Sequence, residues 1–563
     1  MNKKILFTLV LVIFSFAVTA QVVIQWAKDI GTYNNEQPTK ICSDKDGNSY
    51  LAGDYWETLI ICNDTLDTVI QPLSSNMTVN LFISKFDSAG NCVWTKTGIS
   101  IVPMVSGGAI GPEIKDIKYF DGNIYCVGVF TDTMIFDSDT LFNPTCVSYC
   151  TTSFIMSIDG SSGIINWSKC FKGSTSYSAA YTVIPYSNGV FVSGAYKNCL
   201  TVDTVNLSSP NSWNYNGYLL KFNNSGICLW EKNVGINHLS EVSDMVFDND
   251  KNLYLVGLYK DTIIFPTDTL SDVLLSWQSA TFFAKYDTSG NFIWAKGGRA
   301  EMYGLLSSSR LCYGTNGYLY YTGAFSDSVR FGSMTLTHIQ NSCCDVIVKI
   351  DQSGQFLWAM KTGNRSWGQC DPVSIAANNF GFFLFSGFTD SVSMGSNTLY
   401  SNGSSDFLLT QYDFDGNIIF YKPFGGNSQE APKDINCNGN ISYFIGRTMS
   451  DYMIDNFYIN NVNAGDILIA RMKDTTTIVA PYKYIIKKDV IFQLYPNPSN
   501  GSITVASESI IKEITIRNFW GEIILSEKPD FNYFKFELTV SGLYFITIFD
   551  GKNNSTKKLT VIR

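Results

Sequence analysis

The sequence predicts an all-β protein, a seven-bladed β-propeller closed by its N-terminal strand, with a small C-terminal β-sandwich behind it. Three observations point there. A strand–turn–strand unit recurs seven times between residues 21 and 473. No sustained helical period interrupts it. The second half of one repeat hairpin, IQWAK at 24–28, stands alone ahead of the first complete unit, while the last unit lacks that half.

Taken in order, residues 1–20 place Lys3 and Lys4 before an apolar run that ends in Val18-Thr19-Ala20. A basic start, a short apolar stretch and a small-residue site predict a secretory signal peptide cut before Gln21. The run is short for a bilayer span and no other segment approaches one, so no transmembrane segment is expected after cleavage. The net charge of −9 becomes −9 − 2 = −11 without Lys3 and Lys4. No long Lys/Arg run accompanies it, which argues against nucleic acid as a partner.

The repeats fill 21–473. Their second strands read GNSYLAGDY, GNIYCVGVF, NGVFVSGAY, KNLYLVGLY, NGYLYYTGAF, GFFLFSGFT and GNISYFIGRT, with glycines at Gly53, Gly128, Gly194, Gly257, Gly323, Gly387 and Gly446. A hairpin follows in each, as in FISKFDSAGNCVWTK and FFAKYDTSGNFIWAK. Its turn opens with Asp or Asn, whose side chain accepts backbone N–H bonds. Its Gly supplies a positive φ. A tryptophan column closes the unit at Trp26, Trp94, Trp167, Trp230, Trp294 and Trp358, with Phe420 in the last copy. One Trp at one register in every unit predicts packing between units. Residues 22–28 are expected to pair with Leu468–Lys473 and supply the missing strand. Four-stranded units repeated radially bury their edges, as a propeller requires.

GNSYLAGDY and KNLYLVGLY resemble the β-propeller repeats of secreted bacterial proteins, and SVRFGSMTL followed by DVIVKIDQSGQFLWAMK is similar to repeats common in Bacteroidetes. The resemblance covers nearly all of 21–473 and implies architecture, since such repeats carry no single activity.

Residues 474–492 read as a linker and 493–563 as a β-sandwich of short strands. The C-terminal segment resembles the type A sorting domain of the type IX secretion system. The match rests on Tyr495, Pro496, Asn497, Pro498 and Gly501, then Gly542, Leu543 and Tyr544, and a basic last strand with Lys557 and Lys558. That resemblance implies Sec export followed by type IX export, with the type IX machinery as partner, and a cargo that is secreted or attached to the outer-membrane surface.

The chain holds only His238 and His338 and no G-x-S-x-G or H-E-x-x-H motif, so no catalytic, cofactor-binding or metal constellation emerges. DKDGN at 44–48, DNDKN at 248–252 and DFDGN at 413–417 read as hairpin turns rather than calcium loops, which would need a distal Glu. Frequent Asp-Thr and Asp-Ser dipeptides, as at 132–133 and 203–204, fall in predicted loops and look like a short O-glycosylation motif of Bacteroidetes. Of 14 cysteines, Cys92 and Cys228 read as small hydrophobes inside strands, whereas Cys146, Cys150, Cys343 and Cys344 are better disulfide candidates. The expected function is a surface or secreted binding protein for a glycan or protein ligand. The alternatives are an enzyme acting on extracellular polysaccharide and a structural envelope component. Two or three carboxylates with Arg or Tyr in one pocket would favour the enzyme.

Overall fold

The computed structural model describes residues 22–31, 36–56, 58–62, 64–67, 79–101, 111–143, 151–172, 177–209, 214–237, 239–271, 279–301, 306–338, 342–366, 374–461, 465–476, 492–551 and 554–563. The expected signal peptide, most of the linker and the Cys146–Cys150 loop lie outside them. The described chain is all strand and connection, without helix. It divides into two compact units, within Val18–Ile478 and within Val479–Arg563.

Among the described residues the larger unit contains seven groups of four antiparallel strands, and no sheet closes on itself. In the first group the strands are Glu36–Ser43, Ser49–Trp56, Val79–Phe86 and Cys92–Ile101. In the last they are Ala431–Asn438, Ile441–Thr448, Asp466–Asp474 and, from the other end of the chain, Val22–Ile30. Val22 pairs with Asp474, Trp26 with Arg471 and Ile30 with Ile467. The lone N-terminal half-hairpin is thus the fourth strand of the last sheet. The remaining first strands are Glu113–Phe120, Ser178–Tyr186, Ser240–Phe247, Leu306–Tyr313 and Ser374–Ala377. Each first strand packs against the next in chain order, and Ala431–Asn438 packs against Glu36–Ser43, so the succession returns to its start.

The segments between second and third strands, read from sequence as loops, contain a small two-stranded hairpin in every unit, for example Thr133–Phe136 with Asp139–Phe142. Two of these hairpins extend the fourth strand of the preceding unit. The Asp-Thr and Asp-Ser dipeptides belong here. Asp132, Asp261, Asp327 and Asp390 enter the hairpins, and Asp137, Asp203 and Asp455 turn them, all at positive φ. Asp tolerates that region through local hydrogen bonding. Two turn carboxylates also meet the preceding unit's Trp-x-Lys ammonium, Asp137 with Lys96 at 3.0 Å and Asp203 with Lys169 at 2.7 Å. In the first unit Cys62 holds the turn position and forms a disulfide with Cys92. That corrects the reading of Cys92 as a lone hydrophobe. Cys344 is buried.

The turn chemistry of the main hairpins is as expected. Asp287 accepts N–H bonds from Ser289 and Asn291 and the Asn291 side-chain amide. At Gly226 (φ +77) a Cβ would lie 2.5 Å from the Trp167 ring of the preceding unit. The Trp column therefore packs between sheets: Trp26, Trp94, Trp230, Trp294 and Trp358 meet the turn glycines Gly90, Gly163, Gly290, Gly354 and Gly416 in the same way. Indole N–H groups of Trp26, Trp167 and Trp294 donate across the boundary to carbonyls of Ser88, Asn224 and Gln352. Gly194 lies opposite a bulge in the first strand, where a Cβ would stand 1.9 Å from the Ala179 carbonyl oxygen. Gly53, Gly128, Gly257 and Gly446 face equivalent bulges. Gly323 and Gly387 hold the same place in their second strands, paired with Val346 and Phe407.

The smaller unit has a three-stranded sheet, Phe492–Tyr495, Ser502–Ile511 and Phe531–Glu537, and a four-stranded sheet, Glu513–Asn518, Ile523–Glu527, Gly542–Phe549 and Asn554–Val561. They share a core that includes Ile503, Val505, Ile514, Ile546 and Leu559.

Candidate functional site: the polar cluster where the first strands meet

The first strands carry a polar residue just past a bulge: Lys40, Asp116, Thr182, Asp244, Arg310 and Asp434. A bulge re-aims the side chain that follows it. The carboxylates of Asp116, Asp244 and Asp434 here reach neighbouring first strands. Asp116 accepts the backbone N–H of Val183 at 3.0 Å and the Thr182 hydroxyl at 3.2 Å. Asp244 accepts the N–H of Leu311 at 2.8 Å. Asp434 accepts the N–H of Ile41 at 3.1 Å, the Lys40 ammonium at 3.3 Å and the Ser374 hydroxyl at 2.7 Å. Each carboxylate thus satisfies donors that the bulged strand edges leave open.

The electrostatics differ around this cluster. Burial pushes the Asp116 carboxyl up, but the ammoniums of Lys118, at 2.9 Å, and Lys40 more than reverse that, so it is held below the usual range. Burial leaves Asp244 raised despite Arg310 and Lys118. Burial, then Arg310, pulls Lys40 down against Asp434 and Asp116.

Two cavities flank the cluster and share Lys40, Tyr181, Ser243 and Arg310. The smaller, about 460 Å³, is lined by Cys312 and Cys437 among others. Burial pushes both thiols up, Cys437 to about 12, so they remain protonated and unreactive. The larger, about 540 Å³, lies in the range of small-molecule sites. Its walls bring together carboxylates (Asp54, Glu113, Glu241), cations (Lys115, Lys433, Arg310) and two aromatic rings, Trp56 and Tyr181. Glu113 and Lys115 form an ion pair at 2.6 Å. Burial, then the charge of Glu113, pushes Asp54 up to about 7 against Lys433 and Lys115. Burial also raises Glu241. The hydroxyls of Tyr177 and Tyr181 are 2.7 Å apart.

Asp54 sets a stability prediction. Its folded pKa lies above its unfolded one, so its contribution is complete below the unfolded value of 3.8 and is lost as pH rises through about 7. The loss is roughly 2–4 kcal/mol. Urea unfolding of Asp54→Asn is expected to show that variant gaining on the wild type between pH 4 and 8. A difference between the two that does not change with pH would contradict the assignment.

The sequence reading named none of these residues as a site. Its repeat glycines and tryptophans pack sheets together, and its sorting residues lie in the smaller unit. There Asn497 donates to the Lys558 carbonyl at 2.8 Å and accepts the N–H of Thr560 at 3.0 Å, tying the Pro496–Pro498 turn to the last strand. Tyr495 is exposed, Gly501 takes φ +120, Gly542 opens a strand, and the buried Tyr544 donates to the Val540 carbonyl. Of the acidic turns, Asp44 and Asp248 accept from Asn48 and Tyr50, and from Asn252 and Tyr254. Asp413 accepts from Asp415 and Asn417. His338 is described; His238 lies outside the described residues. A signal for the cluster was present as a polar residue before an aliphatic one in successive first strands: Lys40-Ile41, Asp116-Ile117, Asp244-Met245, Arg310-Leu311 and Asp434-Ile435.

Residues 493–562 match the family described as the secretion system C-terminal sorting domain. The match implies export through the type IX system to the cell surface or the extracellular space. Among the described residues no helix is long and apolar enough to cross a membrane. No curated protein matches the chain. Among solved structures, it is similar to a protein of unknown function from Dyadobacter fermentans, at 11% identity over 80% of this chain and 99% of that one, TM-score 0.37. It is also similar to PorZ, a surface component of the type IX secretion system of Porphyromonas gingivalis, at 10% identity over 93% and 81%, TM-score 0.19. A third is a member of the DUF4221 family from Bacteroides vulgatus, at 10% identity over 81% and 99%, TM-score 0.28. Likenesses this distant carry no argument about the chain.

Proposed function

We propose that this type IX cargo is a closed seven-bladed propeller that binds a saccharide in the larger cavity. The propeller reading is supported by the seven four-stranded groups, by the packing of first strands in a succession that returns to its start, and by the contacts between last and first sheets. Those contacts include Trp26 to the Ser88 carbonyl, Asn438 to the Asp44 carbonyl and Ser43 to Asn436. The domain boundaries 21–473 and 493–563 belong to this proposal.

One observation carries the ligand class: aromatic faces and charged hydrogen-bonding groups of both signs converge in one cavity. A sugar offers C–H faces for Trp56 and Tyr181 to cover and hydroxyls for Asp54, Glu113 and Lys115. A glycan array probed with the full chain is expected to give saccharide binding. Trp56→Ala and Glu113→Gln should each weaken it by about tenfold, the cost of losing one stacking or charge-assisted contact. Unchanged binding in both variants overturns the reading.

A second reading, polysaccharide hydrolysis, is favoured by the carboxylate cluster with Arg310 and Tyr181, the pattern sought from sequence. An Asp54 carboxyl near pKa 7 would stay protonated in mild acid and act as proton donor. Release of reducing ends should then fall as pH rises through about 7 and vanish in Asp54→Asn while binding persists.

A further inference from the structure

A single feature recurs at the boundaries between successive sheets of the larger unit. The third strand carries a lysine whose ammonium crosses to the carbonyl just after the turn Asp of the next unit: Lys85 to Gly160 at 3.0 Å, Lys285 to Gln352 at 3.5 Å and Lys349 to Phe414 at 2.7 Å. Lys221 does the same to Thr288 at 2.8 Å. In the first three of these the lysine is paired across the sheet with a tyrosine, Tyr50, Tyr254 or Tyr320, and lies over its ring at 5.5, 4.7 and 5.8 Å. Lysine, carbonyl and aromatic face form a repeated ammonium site.

The second sheet keeps everything but the lysine. Ser157 pairs with Tyr125 in the register where Lys85 pairs with Tyr50. The target carbonyl, that of Asn224, is in place and already accepts the Trp167 indole N–H at 3.0 Å. In the vacated volume lies a cavity of about 280 Å³ lined by Ser157, Tyr125, Asn123, Asn166, Tyr186 and Asn224, with exposed Asp121 also on its wall. Asn166 donates to Asn123 at 2.8 Å and to Ser157 at 3.4 Å. Tyr186 is only 7% exposed, and its hydroxyl has no hydrogen-bond partner among the described residues.

We propose that this cavity is a binding site for a primary alkylammonium group, which takes the place held by lysine at four other boundaries. Its charge meets the Asn224 carbonyl, the Tyr125 ring and the Tyr186 hydroxyl oxygen as acceptor, and its alkyl chain follows the path of the missing lysine stem. The inference is independent of the saccharide reading, because it concerns a different cavity and follows from comparison of boundaries within one molecule.

The test titrates n-butylammonium into the full chain by calorimetry, with n-butanol as the uncharged control. Expected is saturable, roughly millimolar binding of the amine alone, the affinity of a few weak polar contacts. Ser157→Lys should abolish it, since its own ammonium fills the cavity. Tyr186→Phe should weaken it by about fivefold or more, consistent with one hydrogen bond to a charged group, with no loss of thermal stability. Cadaverine and Nα-acetyl-lysine N-methylamide, run in parallel, distinguish a free diamine from a lysyl side chain as source. Tighter binding of either supports the site. No saturation by any amine, or equal affinity in the wild type and both variants, overturns it.

Discussion

A chain lacking residues 22–30 is expected to lose cooperative folding of the larger unit. That segment provides the whole outer strand of the last sheet, paired from Val22 with Asp474 to Ile30 with Ile467. It also buries Ile24, Trp26, Ala27 and Ile30. At roughly 1.5–3 kcal/mol for each large apolar side chain, Ile24, Trp26 and Ile30 contribute about 5–9 kcal/mol. A whole domain is stable by only about 5–15 kcal/mol, so the deletion removes most of the margin. It also strips a partner from two cores, because Ile24 and Ala27 pack with Phe444 and Leu468 while Trp26 and Ile30 pack with Leu51 and Phe82. The second core joins last and first sheets. Thermal melting followed by circular dichroism should show a broad transition or none, and a peptide of sequence VVIQWAKDI added in trans should restore it in part. A truncated protein that melts at the wild-type temperature would refute both the strand's role and the closed-propeller reading.

Asp434→Ala is expected to cost about 3–5 kcal/mol, the range for breaking a buried ion pair by removing one partner. Three donors converge on this carboxylate, one from the sixth sheet and two from the first. With the carboxylate gone, Lys40 keeps a buried ammonium, already pulled down by burial, without its nearest counter-charge. Asp434→Asn retains an acceptor and should cost less. The double variant Lys40→Met, Asp434→Leu should recover part of the loss, because it replaces the pair with packed apolar volume. Denaturant unfolding of the set measures this. If alanine at 434 is tolerated within about 0.5 kcal/mol, the carboxylate is not the seam its contacts describe.

The repeats were legible because their signals are local. An Asp four residues before Asn or Gln, with Gly between, folds a turn whatever surrounds it, and Asp287 and Asp351 do so. The pairing of 22–28 with the last unit was legible because a missing strand and a spare one advertise each other. The small hairpins were not. Their strands are three or four residues long, and many of their entry and turn positions are held by Asp at positive φ, which reads as loop. The Cys62–Cys92 disulfide was hidden for a related reason, since Cys62 occupies a turn position that Asp holds elsewhere. The polar cluster lay outside local reasoning altogether. Lys40, Asp116 and Asp434 are far apart in sequence, and only the meeting of their strands makes them neighbours.

The pairing of Val22 with Asp474 has a kinetic corollary. A polypeptide that emerges N-terminus first presents early the strand that its own final sheet awaits, and must keep that edge uncommitted until residues near 474 appear. Loop-closure entropy adds only slowly with such separation, but non-local pairing retards folding strongly. Synthesis order and topology together make this unit late to lock.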